Sequence, residues 1–161
     1  MIRAAESADL PAVLEIWNHA IRETITTFNS REKTLKEVQE TLAQKQADDM
    51  PFLLAETDVE IVGFATYGQF RGGVGYRYSV EHSIFLSEAA KGKGLGRALL
   101  AELEGIAKSR GMHSMIAGIS GENSAAIAFH ARLGYRDVAR VPEVGHKFGR
   151  WFNLVLMQKM L

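Results

Sequence analysis

The hydrophobic pattern changes its period between residues 79 and 106. Apolar and polar side chains alternate from Ser79 to Leu86, which predicts a β-strand. From Leu95 to Ile106 the leucines and the isoleucine recur at helical spacing, which predicts an amphipathic helix that ends at Arg110 and Gly111. One face of the predicted strand carries Val80, His82, Ile84 and Leu86, and the other carries Ser79, Glu81, Ser83 and Phe85.

Similar patterns predict an alternation of strands and helices along the rest of the chain. Further strands are predicted at Ile2–Ala4, Phe52–Glu56, Ile61–Gln69, His113–Ile119, Arg136–Val141 and Trp151–Met160. Further helices are predicted at Ala8–Arg22 after a Ser7 N-cap, from a Thr34 N-cap to Ala47, and from Asn123 to Gly134. This order predicts an α+β (mixed α/β) fold in a single domain of residues 1–161. Its mostly antiparallel central sheet of six to seven strands is flanked by about four helices.

Composition excludes several functional classes. Lys plus Arg and Asp plus Glu both number 19, so no net charge favours nucleic acid or an anionic membrane as a partner. The chain contains no cysteine, which excludes disulfides, thiolate metal sites and a cysteine nucleophile. His19, His113 and His146 lack ligand spacing with carboxylates, so no metal site is predicted. No apolar run reaches the length of a membrane span or begins a signal region, and a cytoplasmic location is expected.

Three alternating glycines follow the predicted strand, in the segment Lys91–Arg97 that we call the glycine loop. Glycines let the backbone approach a ligand closely, and the free N–H groups at the start of a helix attract anions. The loop therefore predicts a phosphate-binding site. It is not a Walker A motif, because no Gly-Lys-Ser/Thr is present, nor the dinucleotide motif, because its glycines are spaced G-x-G-x-G. A tight turn without a ligand is the alternative.

A second polar segment follows the strand predicted at His113–Ile119. Asn123 opens a short helix there, and Gly134 ends it. Together with the glycine loop, this segment resembles the two acetyl-CoA-binding motifs of the GNAT superfamily of N-acetyltransferases.

Both GNAT motifs match with one departure each. The first motif is Arg/Gln-x-x-Gly-x-Gly/Ala; Gly94-Leu95-Gly96 matches its end, and Lys91 departs at its first position. The second motif is an Asn followed by a helix that ends in aromatic-x-x-x-Gly-Phe/Tyr. Asn123 and Gly134-Tyr135 match this motif, and His130 departs from its first aromatic position.

The likeness extends along nearly the whole chain. Val80-Glu81-His82-Ser83, Lys147–Trp151, Ile2-Arg3-Ala4 and Ile16–Ala20 look like the GNAT branch that acetylates phosphinothricin, methionine sulfoximine and methionine sulfone. The resemblance implies a GNAT-like fold, acetyl-CoA as cosubstrate, a small amino acid as acceptor and a homodimer. Because the chain has no cysteine, the acetyl group is expected to pass directly to the acceptor unless a serine serves as nucleophile.

The resemblance implies that Glu81 is the catalytic base, because it occupies the position of the proposed catalytic glutamate in the phosphinothricin-acetylating enzymes. An α-amino group with a pKa of about 8 is largely protonated at neutral pH, so a base must take its proton. Glu81 would act through water or with a pKa raised by partial burial. The alternative is a polar residue on a solvated strand face. His82 shares the face of Val80 and Ile84, which favours a packed histidine over a base.

The CoA thiolate also needs a proton, and family enzymes often supply it from a tyrosine on the last helix. His130 stands at that position, so its imidazole is a catalytic candidate. Protonation by solvent, with His130 as an ordinary helix residue, is the alternative. Tyr135 matches the packing aromatic residue of the motif and is expected in the core. Phe148 stands where some relatives carry a histidine, so no second catalytic histidine is expected.

The resemblance also implies the contacts with acetyl-CoA. Backbone N–H groups of the strand before the glycine loop would polarise the thioester carbonyl and hold the pantetheine arm, while the loop would bind the pyrophosphate. A helix N-cap and a surface arginine are the alternatives for Asn123 and Arg132. The implied cofactor-binding residues are Ile84, Phe85, Leu86, Gly92, Lys93, Gly94, Leu95, Gly96, Arg97, Asn123 and Arg132.

Acceptor binding is expected in the segment Phe70–Tyr78, which we call the 70–78 loop. Two arginines and two tyrosines surround its three glycines, and arginine binds carboxylates with paired hydrogen bonds. The loop therefore suits a small polar acceptor that carries a carboxylate, and a solvated loop is the alternative. Phe28 or Trp151 would add an apolar wall. The implied substrate-binding residues are Arg71, Val74, Gly75, Tyr76 and Arg77.

Three functions of different classes follow from these patterns. The leading hypothesis is an N-acetyltransferase for the α-amino group of small amino acid analogues. A GNAT enzyme that acetylates a protein or peptide N-terminus is the second. A non-catalytic acetyl-CoA-binding sensor is the third, and it would release no free thiol with any amine.

Overall fold

A seven-stranded mixed sheet forms the centre of the computed structural model, which describes residues 1–161. Its strands are β1 (Ile2–Ala4), β2 (Phe52–Glu56), β3 (Ile61–Gln69), β4 (Ser79–Leu86), β5 (Ser114–Ser120), β6 (Arg136–Lys147) and β7 (Arg150–Met160). They lie in the order β1-β2-β3-β4-β5-β7-β6, and every neighbouring pair is antiparallel except β4 and β5. The predicted α+β fold with a mostly antiparallel sheet is confirmed.

Helices cover both faces of this sheet. The helices are α1 (Leu10–Glu23), α2 (Leu35–Ala47), α3 (Leu95–Ser109) and α4 (Ser124–Arg132). Helices α1 and α2 pack on one face over a cluster that includes Phe64 and Phe85, and α3 and α4 pack on the other over a cluster that includes Met115 and Tyr135. The sequence pattern places Phe85 on the strand face that carries the polar residues Ser79, Glu81 and Ser83. Phe85 is nevertheless buried, because helices cover both faces of β4.

Local signals place several helix ends where the sequence predicts them. The Thr34 side chain accepts a hydrogen bond from the N–H of Glu37, and the Glu37 carboxylate accepts one from the N–H of Thr34. Gly111 and Gly134 follow α3 and α4 with positive φ angles of 79° and 92°, a conformation that favours glycine.

Two predicted boundaries are wrong. Ser7 does not cap α1; it begins one turn of 3₁₀ helix, and the reciprocal capping bonds join Glu6 and Asp9. The strand predicted to end at Val141 continues to Lys147. Proline is tolerated there because β6 is the edge strand and its register with β7 shifts between Val141 and Gly145, around Pro142.

No helix combines the length and the apolar character that crossing a membrane requires.

Candidate active site

The two parallel strands of the sheet separate part of the way along their length. Pairing between β4 and β5 ends at His82 and Ala117, although β4 stays paired with β3 to Leu86 and β5 stays paired with β7 to Ser120. The separation, which we call the strand gap, leaves the facing edges of both strands without sheet hydrogen bonds. A cavity of about 300 Å³ occupies it.

The cavity is lined from both faces of the sheet. His82, Asn123 and His130 line it on the side of α3 and α4, while Glu81 and Phe28 line it on the side of α1 and α2. Two ligands can therefore reach one another from opposite faces through the strand gap. Such an arrangement suits transfer of a group between two substrates.

The backbone of β4 directs two N–H groups into the strand gap. Consecutive residues of a strand point their N–H groups to opposite sides. The N–H of Ser87 donates to the carbonyl of Val62 at 2.8 Å, and the register with β3 is unbroken. The N–H groups of Ile84 and Leu86 therefore point toward the gap. Phe85 points its N–H at β3 and its side chain into the core, so its predicted N–H contact with a ligand is not available.

Glu81 is half-buried at the cavity wall and takes part in no ion pair. Burial raises the pKa of the Glu81 carboxyl above its usual range. A β-carbon added at Gly118 would lie 3.3 Å from Glu81 Oε2, so the glycine on β5 leaves room for the carboxylate. The carboxylate therefore has the half-buried position expected of a base, whereas the alternative of a fully solvated strand face does not hold.

His82 and His130 form a buried pair whose hydrogen bonds fix their tautomers. His130 Nδ1 lies 2.7 Å from the carbonyl oxygen of Ala126, and a carbonyl can only accept, so Nδ1 carries the proton. In neutral His130 the Nε2 atom must then accept, and it lies 3.1 Å from His82 Nε2, which donates. His82 Nδ1 is left buried without a partner. The prediction that His82 is a packed histidine is confirmed, since only 6% of its surface is exposed.

This geometry argues against His130 as the proton donor to the CoA thiolate. Its single N–H is directed at Ala126, its other nitrogen is occupied by His82, and burial lowers its pKa. Tyr135 is buried against the same pair, with its ring centroid 5.2 Å from that of His130, as expected for a core residue.

The buried His82 is expected to make the fold sensitive to acid. Burial lowers its folded-state pKa to about 3, whereas histidine in an unfolded chain titrates near 6.5. The stability that the neutral ring contributes is complete above the unfolded pKa and is lost as the pH falls toward the folded pKa. We expect the free energy of unfolding to fall by about 1.4 kcal/mol per pH unit below about pH 6.

Urea unfolding at several pH values, compared between the wild type and His82→Phe, measures this loss. The variant is expected to have the shallower pH dependence. His113→Phe is the control because His113 is exposed. Equal slopes for His82→Phe and the wild type would contradict the expectation.

The glycine loop presents an open helix start after β4. Gly92 and Gly94 have φ angles of 70° and 69°, and nothing lies within 4 Å of a β-carbon built at either position. Gly94 precedes α3 and no side chain caps that helix, so its first N–H groups are free for an anion. Gly96 differs, because its β-carbon would lie 2.7 Å from Leu86 Cδ1 and 3.6 Å from Phe129. Gly96 therefore serves the packing of α3.

Positive side chains lie at the end of the glycine loop and beyond it. Arg97 and Arg132 line a second cavity of about 420 Å³ between α3 and α4, together with Lys159 and Glu104. Lys159 is paired with Glu104 at 2.5 Å, which leaves the two exposed arginines as its unpaired charges. Lys91 pairs with Glu88 at 2.6 Å, outside this cavity.

Asn123 has two contacts at the cavity. Its Oδ1 accepts a hydrogen bond from the N–H of Ala126 at 3.1 Å, which caps α4, and the residue also lines the cavity. The capping contact leaves Asn123 at the cavity wall, so capping α4 does not exclude contact with a ligand.

The predicted acceptor residues are not brought together with the cavity in the single chain. Arg71, Val74, Gly75, Tyr76 and Arg77 are exposed and do not line it. The arginines instead lie over tyrosine rings, Arg71 at 5.8 Å from the Tyr76 centroid and Arg77 at 4.7 Å from that of Tyr78.

Of the two aromatic residues expected in the apolar wall, one lies at the cavity. Phe28 lines it, whereas Trp151 is 61% exposed and contacts His146. Sequence reasoning missed Gly118 and the residues just before Phe28, Ile25–Thr27, which also line the cavity. They lie in no motif, so only the tertiary arrangement identifies them.

Several curated proteins and solved structures are similar to nearly the whole of this chain. L-methionine sulfoximine/L-methionine sulfone acetyltransferase of Salmonella typhimurium is 41% identical over 99% of this chain and 94% of its own length. Phosphinothricin N-acetyltransferase of Streptomyces coelicolor is 33% identical over 99% of this chain and 95% of its own length.

Two solved structures share nearly the whole fold. Ribosomal-protein-alanine N-acetyltransferase of Brucella melitensis superposes with a TM-score of 0.97 at 42% identity, over 100% of this chain and 99% of that one. The structure of Salmonella typhimurium yncA with its cofactor acetyl-CoA has a TM-score of 0.95 at 40% identity, over 100% of this chain and 93% of that one.

The family model of the acetyltransferase (GNAT) domain matches residues 2–156. That span includes the strand gap, the glycine loop and the α4 cap at Asn123. With a site open to both faces of the sheet and relatives that cover its full length, the chain belongs to the GNAT acetyltransferase family.

Proposed function

We propose that this protein transfers the acetyl group of acetyl-CoA directly to the α-amino group of a small amino acid analogue of the phosphinothricin, methionine sulfoximine or methionine sulfone type. The observation that carries the proposal is the cavity in the strand gap, with a half-buried carboxylate on one face of the sheet, while α3 on the other face has an open start. The names of the Salmonella and Streptomyces relatives support this acceptor class.

The residues on the α3 and α4 side fit acetyl-CoA, which would supply the acetyl thioester. Of the two N–H groups that point into the gap, at Ile84 and Leu86, one would donate to the thioester carbonyl oxygen, where negative charge develops during transfer, and the other would hold the pantetheine arm. The glycine loop would hold the pyrophosphate through the N–H groups at the start of α3, and Asn123 would contact the pantetheine arm. Arg97 and Arg132 would pair with the remaining phosphate charge.

Glu81 would take the proton of the acceptor amine from the opposite face. An α-amino group with a pKa of about 8 must lose a proton before it can attack, and a carboxylate with a raised pKa is better matched to that step. The transfer needs no covalent enzyme intermediate, in keeping with a chain that has no cysteine. Solvent would return a proton to the thiolate, because His130 has no free N–H.

A comparison of acceptors tests the acceptor class. Thiol release is measured with methionine sulfone, with its decarboxylated amine and with an alanine-terminated peptide, each under saturating acetyl-CoA. We expect the amino acid to be the best substrate by kcat/KM. The name of the Brucella structural relative favours a protein N-terminus as the second candidate, and activity confined to the peptide would establish it.

We further propose that the protein works as a homodimer. The edge strand β6, the turn after it and the start of β7 expose apolar side chains that the single chain leaves uncovered. These side chains are Val138, Val141, Val144, Phe148 and Trp151. The 70–78 loop lines no part of the cavity of its own chain. In a dimer this loop could line the cavity of the second copy.

Loss of Arg71 or Arg77 is expected to weaken acceptor binding. If either guanidinium pairs with the acceptor carboxylate, Arg71→Ala or Arg77→Ala raises the acceptor KM about fivefold, the effect of an exposed ion pair of about 1 kcal/mol. The KM for acetyl-CoA should not change. Steady-state kinetics with the decarboxylated amine provide the control, since that acceptor has no carboxylate to lose. An equal rise in KM for the amine would contradict a carboxylate contact.

A further inference from the structure

A lysine without a carboxylate partner is buried at the end of β6. Only 2% of the surface of Lys147 is exposed, although lysine is rarely buried unless it is paired with an opposite charge. Its Nζ donates to the backbone carbonyls of Thr24 at 2.6 Å and Thr27 at 2.7 Å, and it takes part in no salt bridge. Its Nζ also lies 5.0 Å from the centroid of the Phe148 ring, and no carboxylate balances the buried charge, which has a free-energy cost.

Both carbonyls belong to the stretch Thr24–Phe28 after α1, which we call the wall segment. It is neither helix nor strand, and four of its residues line the cavity on the side of Glu81. Its other hydrogen bonds are local, from Thr24 back to α1 and between neighbouring residues. The two hydrogen bonds from Lys147 therefore connect the backbone of the wall segment to the sheet.

The hairpin of β6 and β7, which carries Lys147, also fixes the aromatic ring of the wall segment. Phe28 stacks on Phe152 of β7, with ring centroids 5.5 Å apart. A β-carbon at Gly145 of β6 would lie 2.4 Å from the Phe28 ring, so any larger residue at this position would clash with the ring. Strands β6 and β7 thus determine how far Phe28 projects into the cavity.

We infer that Lys147 is a positioning residue for the acceptor, which acts by holding the wall segment and its Phe28 ring against the acceptor side of the cavity. The inference rests on the proposed function, because it takes the ligand on the side of Glu81 to be the amine. Side chains held by a second layer of contacts lose little entropy when a ligand binds. Releasing the wall segment would weaken binding of the acceptor. It would leave binding of acetyl-CoA, which approaches from the other face, unaffected.

Two substitutions separate this role from general stability. Lys147→Met keeps the length of the side chain and removes both hydrogen bonds, while Lys147→Arg keeps donors that can reach two carbonyls. Lys45→Met is the matched control. Lys45 is half-buried, its Nζ donates to the backbone carbonyl of Tyr67 at 2.7 Å, and it does not line the cavity.

The expected result is a change confined to the acceptor. Lys147→Met should raise the acceptor KM about tenfold, with kcat and the KM for acetyl-CoA nearly unchanged, since each lost hydrogen bond to a charged group contributes appreciably to the ordering of the segment. Lys147→Arg should recover most of the loss, and Lys45→Met should leave both KM values unchanged. An acceptor KM for Lys147→Met within about twofold of the wild type, or a parallel rise in both KM values, would overturn the inference.

Amide hydrogen exchange provides a reading that does not depend on which acceptor is correct. Exchange in the wall segment should accelerate in Lys147→Met and not in Lys45→Met, because its only backbone link to the sheet has gone. Unchanged exchange would overturn the inference. The kinetic comparison uses whichever amine the wild type acetylates fastest, so an error in the proposed acceptor class would leave this test intact.

Discussion

Replacing Glu81 with glutamine is expected to lower turnover by about a hundredfold or more, because removal of a general base costs about 10²–10⁴-fold in rate. Glutamine keeps the size of the side chain but cannot accept a proton from the amine. Affinity for acetyl-CoA should persist, since Glu81 lies on the face of the sheet opposite α3 and α4. Steady-state kinetics and calorimetry measure the two quantities on the same preparation.

The pH dependence of the rate provides an independent check on this role. Burial raises the pKa of Glu81, and the base is active only when ionised, so kcat/KM should decline as the pH falls through that raised pKa. In Glu81→Gln this decline should disappear. Glu102→Gln is the control, because Glu102 is exposed on α3 and forms no ion pair. A loss below about threefold across pH 6 to 9 would make Glu81 a structural residue, since it falls far short of general-base catalysis.

Replacing Gly94 with valine is expected to weaken acetyl-CoA binding about thirtyfold, or about 2 kcal/mol. The backbone of Gly94 has a positive φ of 69°, and a branched side chain there would be strained and would cover the free N–H groups at the start of α3. Isothermal titration of the folded variant with acetyl-CoA measures the change.

Gly111→Val separates backbone strain from lost binding. Gly111 has a φ of 79° and, like Gly94, has nothing within 4 Å of a built β-carbon, but it lies at the other end of α3. Both variants should lose similar stability, and only Gly94→Val should lose affinity. Equal affinity in the two variants would remove the glycine loop from the binding site.

Sequence patterns predicted the elements whose signals are local. β3 and the Thr34 end of α2 follow from strand composition and a capping box of four residues, and the structure confirms both. The continuation of β6 past Pro142 depends on its place at the sheet edge, which no local pattern contains. Ser7 is a good cap by residue type, but the Asp9 carboxylate bonds to the N–H of Glu6 and to Arg3 instead.

In the candidate site too, features that depend on local motifs could be predicted, whereas contacts between distant residues could not. The strand with Glu81, the glycine loop and the Asn123 cap lie in short motifs, so the sequence predicts their positions. The two nitrogens that join His82 to His130 are separated by 48 residues along the chain, and Lys147 reaches Thr24 across 123. No spacing rule connects residues so far apart. The hydrogen bonds that engage both nitrogens of His130, and the contacts that hold Phe28 in place, could therefore be identified only from the structure.

Transfer of a labelled acetyl group tests the proposed reaction most directly. The protein is incubated with acetyl-CoA labelled with ¹³C in its acetyl group and with methionine sulfone, and the products are followed by mass spectrometry. The expected result is methionine sulfone that carries the label on its α-nitrogen, formed together with one equivalent of free CoA and nearly absent with Glu81→Gln. Binding of acetyl-CoA with no labelled amino acid and no thiol release would contradict the proposed acetyl transfer and favour a sensor.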